Sequence, residues 1–243
     1  QTRRPCSGNG CDGAGETWAT KAQWTVVADP TAPSLNVATP ASGTTVCAGA
    51  TVSATFNGGS GGTGCGDEYQ YSTDGGGTWA SYTPGNNITA STTGVNAIQI
   101  QTRRPCSGNG CDGAGETWAT KAQWTVVADP TAPSLNVATP ASGTTVCAGA
   151  TVSATFNAGS GGTGCGDEYQ YSTDGGGTWA AYTPGNNITA SSTGVNAIQI
   201  QTRRPCSGNG CDGAGETWAT KAQWTVVADP TAPSLNVATP ASG

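Results

Sequence analysis

Residue n and residue n+100 are the same along nearly the whole chain of 243 residues. Between residues 1–143 and residues 101–243 three positions differ: Gly58/Ala158, Ser81/Ala181 and Thr92/Ser192. Each is a swap between small side chains. Self-similarity at a fixed period means that one folded unit is built over and over, and 100 residues is about the size of one β-sandwich domain. The segment Ala28-Asp29-Pro30-Thr31-Ala32-Pro33 recurs at Ala128 to Pro133 and Ala228 to Pro233. Its two prolines stiffen the backbone and remove donors, as a junction between units requires. Cutting there predicts complete units at 29–128 and 129–228, the tail of an earlier unit at 1–28 and the head of a later one at 229–243. The two end pieces are together too short to complete a unit, so the chain reads as a window on a longer array.

Within the unit 29–128 the apolar residues alternate with period two, which marks strands. Leu35 and Val37 predict a first strand. Val52, Ala54 and Phe56 predict a second, and Tyr69 and Tyr71 a third. A strand near Trp79 and Tyr82 and a short one near Ile88 follow. Ile98, Ile100 and Thr102 predict the sixth, and Trp118, Thr120, Ala122, Trp124 and Val126 share one face of the seventh. No segment repeats its apolar residues every 3.6 positions. Seven short strands per unit predict an all-β fold: tandem antiparallel Ig-like or fibronectin-like sandwiches joined by Pro-rich linkers, a beads-on-a-string rod.

Each unit carries four cysteines and the chain has no histidine. That composition points away from zinc and toward disulfides in an oxidising compartment. Cys106 and Cys111, like Cys6 and Cys11 and like Cys206 and Cys211, flank a short loop between the sixth and seventh strands. A bridge closing that loop is the first expectation, worth about 2 kcal/mol of chain entropy. Cys47 lies before the second strand and Cys65 after it, about 20 Å apart along that strand. Two pairings stay open: Cys47 with Cys65, if the loop 57–66 folds back, or Cys47 with Cys165 across the junction, since the end of one unit that holds Cys47 faces the end of the next that holds Cys165. Cys147 repeats the choice.

The stretch Ser72-Thr73-Asp74-Gly75-Gly76-Gly77-Thr78-Trp79, and its copy from Ser172 through Asp174, Gly176 and Thr178 to Trp179, resembles the Asp-box of sialidases and related β-propeller enzymes. Those enzymes need an arginine cluster, a Tyr–Glu nucleophile pair and an acid Asp. Here each unit has only Arg103 and Arg104, adjacent and so on opposite faces of a strand. The blade period of about 40–50 residues is also missing. The motif is therefore read as a turn: Asp74 accepts backbone N–H groups of the glycine turn, Gly75 to Gly77 supply positive φ, and Tyr71 and Trp79 fix the hairpin to the core. No catalytic residues are assigned and an enzyme is not expected.

The linkers, with Asp29, Asp129 and Asp229, resemble those between extender domains of giant bacterial adhesins, some of which bind calcium. That resemblance implies a calcium site at the linkers, joined by Asp67, Glu68, Asp112 and Glu116; solvated surface acids are the expected alternative, and no cofactor is assigned. Asn87-Ile88-Thr89 fits a glycosylation sequon. A net charge of −6 with no basic patch excludes nucleic acid as a partner, and no apolar run is long enough for a membrane helix.

Over a whole unit, Cys47 to Phe56, Asp67 to Gly76 and Ala97 to Arg104 resemble the tandem Ig-like repeats of giant secreted surface proteins of Bacteroidetes-type bacteria. The resemblance implies an extracellular, cell-surface array acting as fibre or adhesin stalk. Its partners are neighbouring repeats of the same polypeptide, with lateral self-association as an extension. The alternative is a module that binds glycans or surfaces through many copies of one weak site; exposure of Trp18, Trp79 and Trp118 separates the two.

Overall fold

The computed structural model describes residues 1–8, 13, 15, 17–108, 111 and 113–234. It is all-β, with the same arrangement of strands built twice. In the first copy the strands are β1 (Ser34–Thr39), β2 (Thr45–Cys47), β3 (Thr51–Asn57), β4 (Glu68–Ser72), β5 (Ala80–Ser81), β6 (Ile88–Thr89), β7 (Gly94–Arg103) and β8 (Ala119–Val127). The second copy runs from β9 (Ser134–Thr139), β10 (Thr145–Cys147), β11 (Thr151–Asn157) and β12 (Glu168–Ser172) through β13 (Ala180–Ala181) and β14 (Ile188–Thr189) to β15 (Gly194–Arg203) and β16 (Ala219–Val227). Each copy packs a three-stranded sheet, β1-β3-β6, on a five-stranded one, β2-β8-β7-β4-β5. This is a tandem Ig-like sandwich.

The first strand serves both sheets. β1 pairs with β3, the chain breaks at Pro40, which has no N–H to offer a ladder, and β2 then joins β8 on the other sheet. That last pair is parallel, Thr45 opposite Thr125 and Cys47 opposite Val127, while the other strand pairs are antiparallel. Sequence periodicity does not see β2, because three residues are too few to alternate.

Between the sheets lie Val46, Val52, Ala54, Ile98, Ile100, Trp124 and Val126, all buried. Trp124 is fully enclosed, and its indole N–H donates to the carbonyl of Pro40 at 2.9 Å, so a large apolar surface is buried without orphaning its one polar atom. The Tyr82 hydroxyl accepts from Ala54 N–H at 2.9 Å and shares its hydrogen between the carbonyls of Ala54 and Asn86. Phe56 and Tyr71 pack on the Tyr82 ring edge to face, and Tyr69 lies tilted against Phe56.

The predicted single face of the seventh strand is broken. Ile100 lies opposite Ala122 but Gln101 lies opposite Thr120, so one residue is extra on β8. A bulge reverses the faces beyond it. Thr120 is therefore exposed, and Trp118 leaves the core to lie under the guanidinium of Arg103, 4.5 Å from the ring centre.

The linker prolines are held by the fold. Pro30 and Pro33 are buried. Thr31 and Ser60 exchange backbone hydrogen bonds at 2.8 and 3.2 Å, Gly62 N–H reaches the carbonyl of Ala28, and the buried hydroxyl of Thr102 donates to Pro33 O. The glycine-rich loop 57–66 is thus a packed cover over the segment 28–33. At Gly59 a Cβ would run into the Thr31 carbonyl, and at Gly62, with φ of 71°, into both sulfurs of a disulfide. At Gly58 it would meet Asp67 Oδ2 at an ordinary 3.5 Å. Of these three glycines, Gly58 is the one that is alanine in the second copy.

Candidate functional site

The sequence singles out the acidic turn, the cysteines, the tryptophans and the linker acids. In the turn, the Ser72 hydroxyl donates to Asp74 Oδ1 at 2.6 Å and accepts from Gly76 N–H at 2.8 Å. Asp74 Oδ1 also takes Thr78 N–H at 2.9 Å, and Oδ2 takes the Thr78 hydroxyl at 2.7 Å. The donors to Asp74 are thus chiefly Ser72 and Thr78, and the glycine N–H of residue 76 goes to Ser72 instead. Gly75 and Gly76 have positive φ; Gly77 does not, and is placed where a Cβ would press on the Asp74 carboxylate. Trp79 stays on the turn, its indole N–H bonded to Gly76 O at 3.1 Å, and Tyr82 is the residue that enters the core. Ser172, Asp174, Gly176, Thr178 and Trp179 repeat these contacts.

The Ser72 hydroxyl, then the Thr78 N–H and hydroxyl, hold the Asp74 carboxyl well below the usual carboxylate range. A depressed folded-state value contributes stability above the unfolded pKa and loses it as pH falls through the folded one. Replacing both turn aspartates (Asp74→Asn with Asp174→Asn) is expected to lower the urea midpoint near neutral pH. The gap to the native chain should close as the pH drops below the ordinary carboxylate range. A gap that stays constant across the titration would show that the carboxylate charge does not hold the turn.

Among the described residues three disulfides are present. Cys65 bonds Cys106 and Cys165 bonds Cys206, each pair with Cα atoms 4.0 Å apart. The expected local bridge between Cys106 and Cys111, and its copy between Cys206 and Cys211, is therefore replaced. The loop after β3 lies against the chain after β7, with Ser107 N–H on Gly64 O, Gly108 N–H on Thr63 O and Cys65 opposite Cys106 in register. That contact brings Cys65, not Cys111, to Cys106. Cys11 and Asp112 lie outside the described residues.

The third disulfide joins Cys47 to Cys211, 164 residues on, with Cα atoms 5.0 Å apart. It crosses between the two copies, and neither Cys65 nor Cys165 is its partner. The two ends expected to face each other do so, but Cys165 is already engaged by Cys206, which leaves Cys211 at the tip to reach across. The contact includes backbone: Cys47 N–H donates to Asn209 O at 2.9 Å, and Val46 pairs with Asn209. Gly210, with φ of 68°, lies so close to Ala50 that a Cβ would strike that residue's methyl group. No slack separates the copies. Ala48 N–H is bound to Val127 O, and the next carbonyl, Ala128 O, is bound by Gly162 N–H of the second copy. Cys111 and Cys147 carry no disulfide.

Trp79 and Trp118 are half-buried and border an open groove with Tyr69, Gln70 and Tyr82; Trp179 and Trp218 do the same in the second copy. Burial, and then the Asp67 carboxylate, push the Tyr69 phenol above its ordinary value. Trp18 is 58% exposed.

Three of the acids named for calcium have other partners. Asp67 pairs with Arg104 and Glu68 with Arg103, each at 2.6 Å, and Glu116 accepts the Cys106 N–H. Asp129 Oδ1 is buried without a hydrogen bond. One such oxygen does not fit an ion that takes six to eight. Among the described residues no group of three or more His, Cys, Asp or Glu is placed to hold a metal ion, and no helix is long and apolar enough to cross a membrane.

No family model and no curated protein matches the chain. Among solved structures, the titin domains Z1Z2 in complex with telethonin are similar, with a TM-score of 0.24 and 15% identity, over 82% of this chain and 98% of that one. The Ig-like assignment rests on the strand order and pairing described above.

Proposed function

We propose that this chain is a run of structural modules, 29–128 and 129–228, from the shaft of a long extracellular filament or cell-surface adhesin stalk, of the kind secreted by Bacteroidetes-type bacteria. The observation that carries the reading is the bond between Cys47 and Cys211. It ties one copy of the repeat to the next through surfaces that every copy possesses. Near-identity of the copies supports the same use, because a shaft needs uniform units where a set of distinct sites would diverge. The three disulfides are consistent with an oxidising compartment. Neighbouring repeats are the partners in this reading.

One observation favours a second reading, multivalent binding of a glycan or surface: the groove of Trp79 and Trp118 is present in both copies. Within each repeat, however, Arg103 covers the Trp118 ring and the Trp79 N–H is already bonded. The test is immunogold labelling of intact cells of the source with antibody to the repeat. Labels spaced at regular intervals along fibres are expected. Label confined to the cell interior would overturn the proposal, and absence of fibres together with retention on a glycan array would favour the second reading.

A further inference from the structure

Cys147 has the same sequence neighbours as Cys47, in the same short strand, paired in the same way with the strand beside it. Yet Val46 and Cys47 are fully buried, whereas Val146 is only partly buried and Cys147 is exposed. The difference is what lies on them. The first copy is covered by residues 209–211, through the Cys47–Asn209 hydrogen bond, the seating of Gly210 on Ala50, and the disulfide to Cys211. The second copy presents the same surface uncovered. Conversely Cys111, the counterpart of Cys211, is buried and carries no disulfide.

We propose that Val146–Ala150 is a docking site for a further copy of the 100-residue repeat, which seats its counterpart of Asn209–Cys211 there and bonds Cys147. The joined surfaces differ from each other, so the contact is head-to-tail and does not close on itself. Every repeat is then bonded to the one before and the one after. The chemistry is thiol–disulfide exchange with a small disulfide such as oxidised glutathione. The Cys147 thiolate attacks it and releases one thiol; the incoming cysteine displaces the second. Two cysteine sulfurs are oxidised to one disulfide and one small disulfide is reduced to two thiols.

The inference rests on the array reading, but its test is separate. Appending a copy of residues 144–243 after Gly243 continues the repeat in register and adds four cysteines. Both chains are refolded with reduced and oxidised glutathione, and thiols are counted in denaturant without reductant. The count is expected to stay the same. The added copy of Cys211 bonds Cys147, the added copies of Cys165 and Cys206 bond each other, and the added copy of Cys147 becomes the open thiol. A count higher by two would overturn the proposal. Cys147→Ser in the extended chain supplies the second reading: one thiol gained if Cys147 was bonded, one lost if it was free. Cys6 and Cys11 are common to all the chains and cancel in the differences. Either result leaves the labelling experiment intact, since repeats joined by peptide bonds alone would still form a regular fibre.

Discussion

Replacing Cys65 and Cys106 together by alanine is expected to lower the stability of the first copy by about 4 kcal/mol, the chain entropy of a loop that closes over 41 residues. For a unit of about 100 residues that is a fall of roughly 20 °C in melting temperature. The second copy keeps its own bond between Cys165 and Cys206, so it serves as the internal control. Calorimetry should split one transition into two, the upper near the native value. A single unshifted transition would show that the bond does not carry this stability. The double substitution avoids leaving a lone thiol, and alanine leaves space beside Gly62, whose missing Cβ now makes room for both sulfurs.

The size of that effect follows from which cysteines meet. A bridge between Cys106 and Cys111 would close a short loop and give about half as much. The bond to Cys65 instead clamps the glycine-rich loop after β3 onto the chain after β7. The hydrogen bonds from Thr31 and Gly62, and the ion pair of Arg104 with Asp67, converge on the same cover. A loop with so many glycines would otherwise lose much entropy on ordering.

Much of the fold was legible in the sequence, and the exceptions have physical causes. Alternation identified the inward residues of β3 and β7 because those strands are regular and each has one buried face. It failed at Trp118 because the bulge in β8 changes the phase without changing the composition. It missed β2, whose partner is a parallel strand some 80 residues away in sequence, Thr45 opposite Thr125. Without β2 the position of Cys47 at the far end of the sandwich has no structural anchor; of the two pairings left open, one keeps the bond inside the unit and the other crosses the junction but to Cys165 instead of Cys211. The segment before Ala28 shows how much is context. Trp24 is 85% exposed, while Trp124, with the same neighbours, is fully buried. Arg3 nevertheless lies over Trp18, 4.7 Å from its centre, as Arg103 lies over Trp118. The arginine–tryptophan pair is local and survives alone; burial of the core tryptophan needs the rest of the sandwich.

Pulled from its two ends, the oxidised chain is expected to extend far less than its reduced form. The bond between Cys47 and Cys211 removes a span of 164 residues from the path that bears the load, roughly 550 Å of contour length. Replacing Cys47 and Cys211 by serine should recover roughly half of it, about 280 Å, because the two inner loops of 41 residues remain locked by their own bonds. Single-molecule force spectroscopy reads these lengths directly. Equal extension of the oxidised native chain and the serine variant would exclude the bond from the load path. The mechanical consequence comes from the ratio of two lengths. The staple spans 164 residues while the sequence repeats every 100, so staples placed at every junction must overlap. Each junction is then crossed by one peptide segment and one disulfide. Tension passes from a bond such as Cys47–Cys211 along a stretch equivalent to Cys111–Cys147 to the next bond. A repeat can unfold in such an array without lengthening it by that repeat's full contour, so a bond at Cys147 would set how far the proposed shaft extends under load.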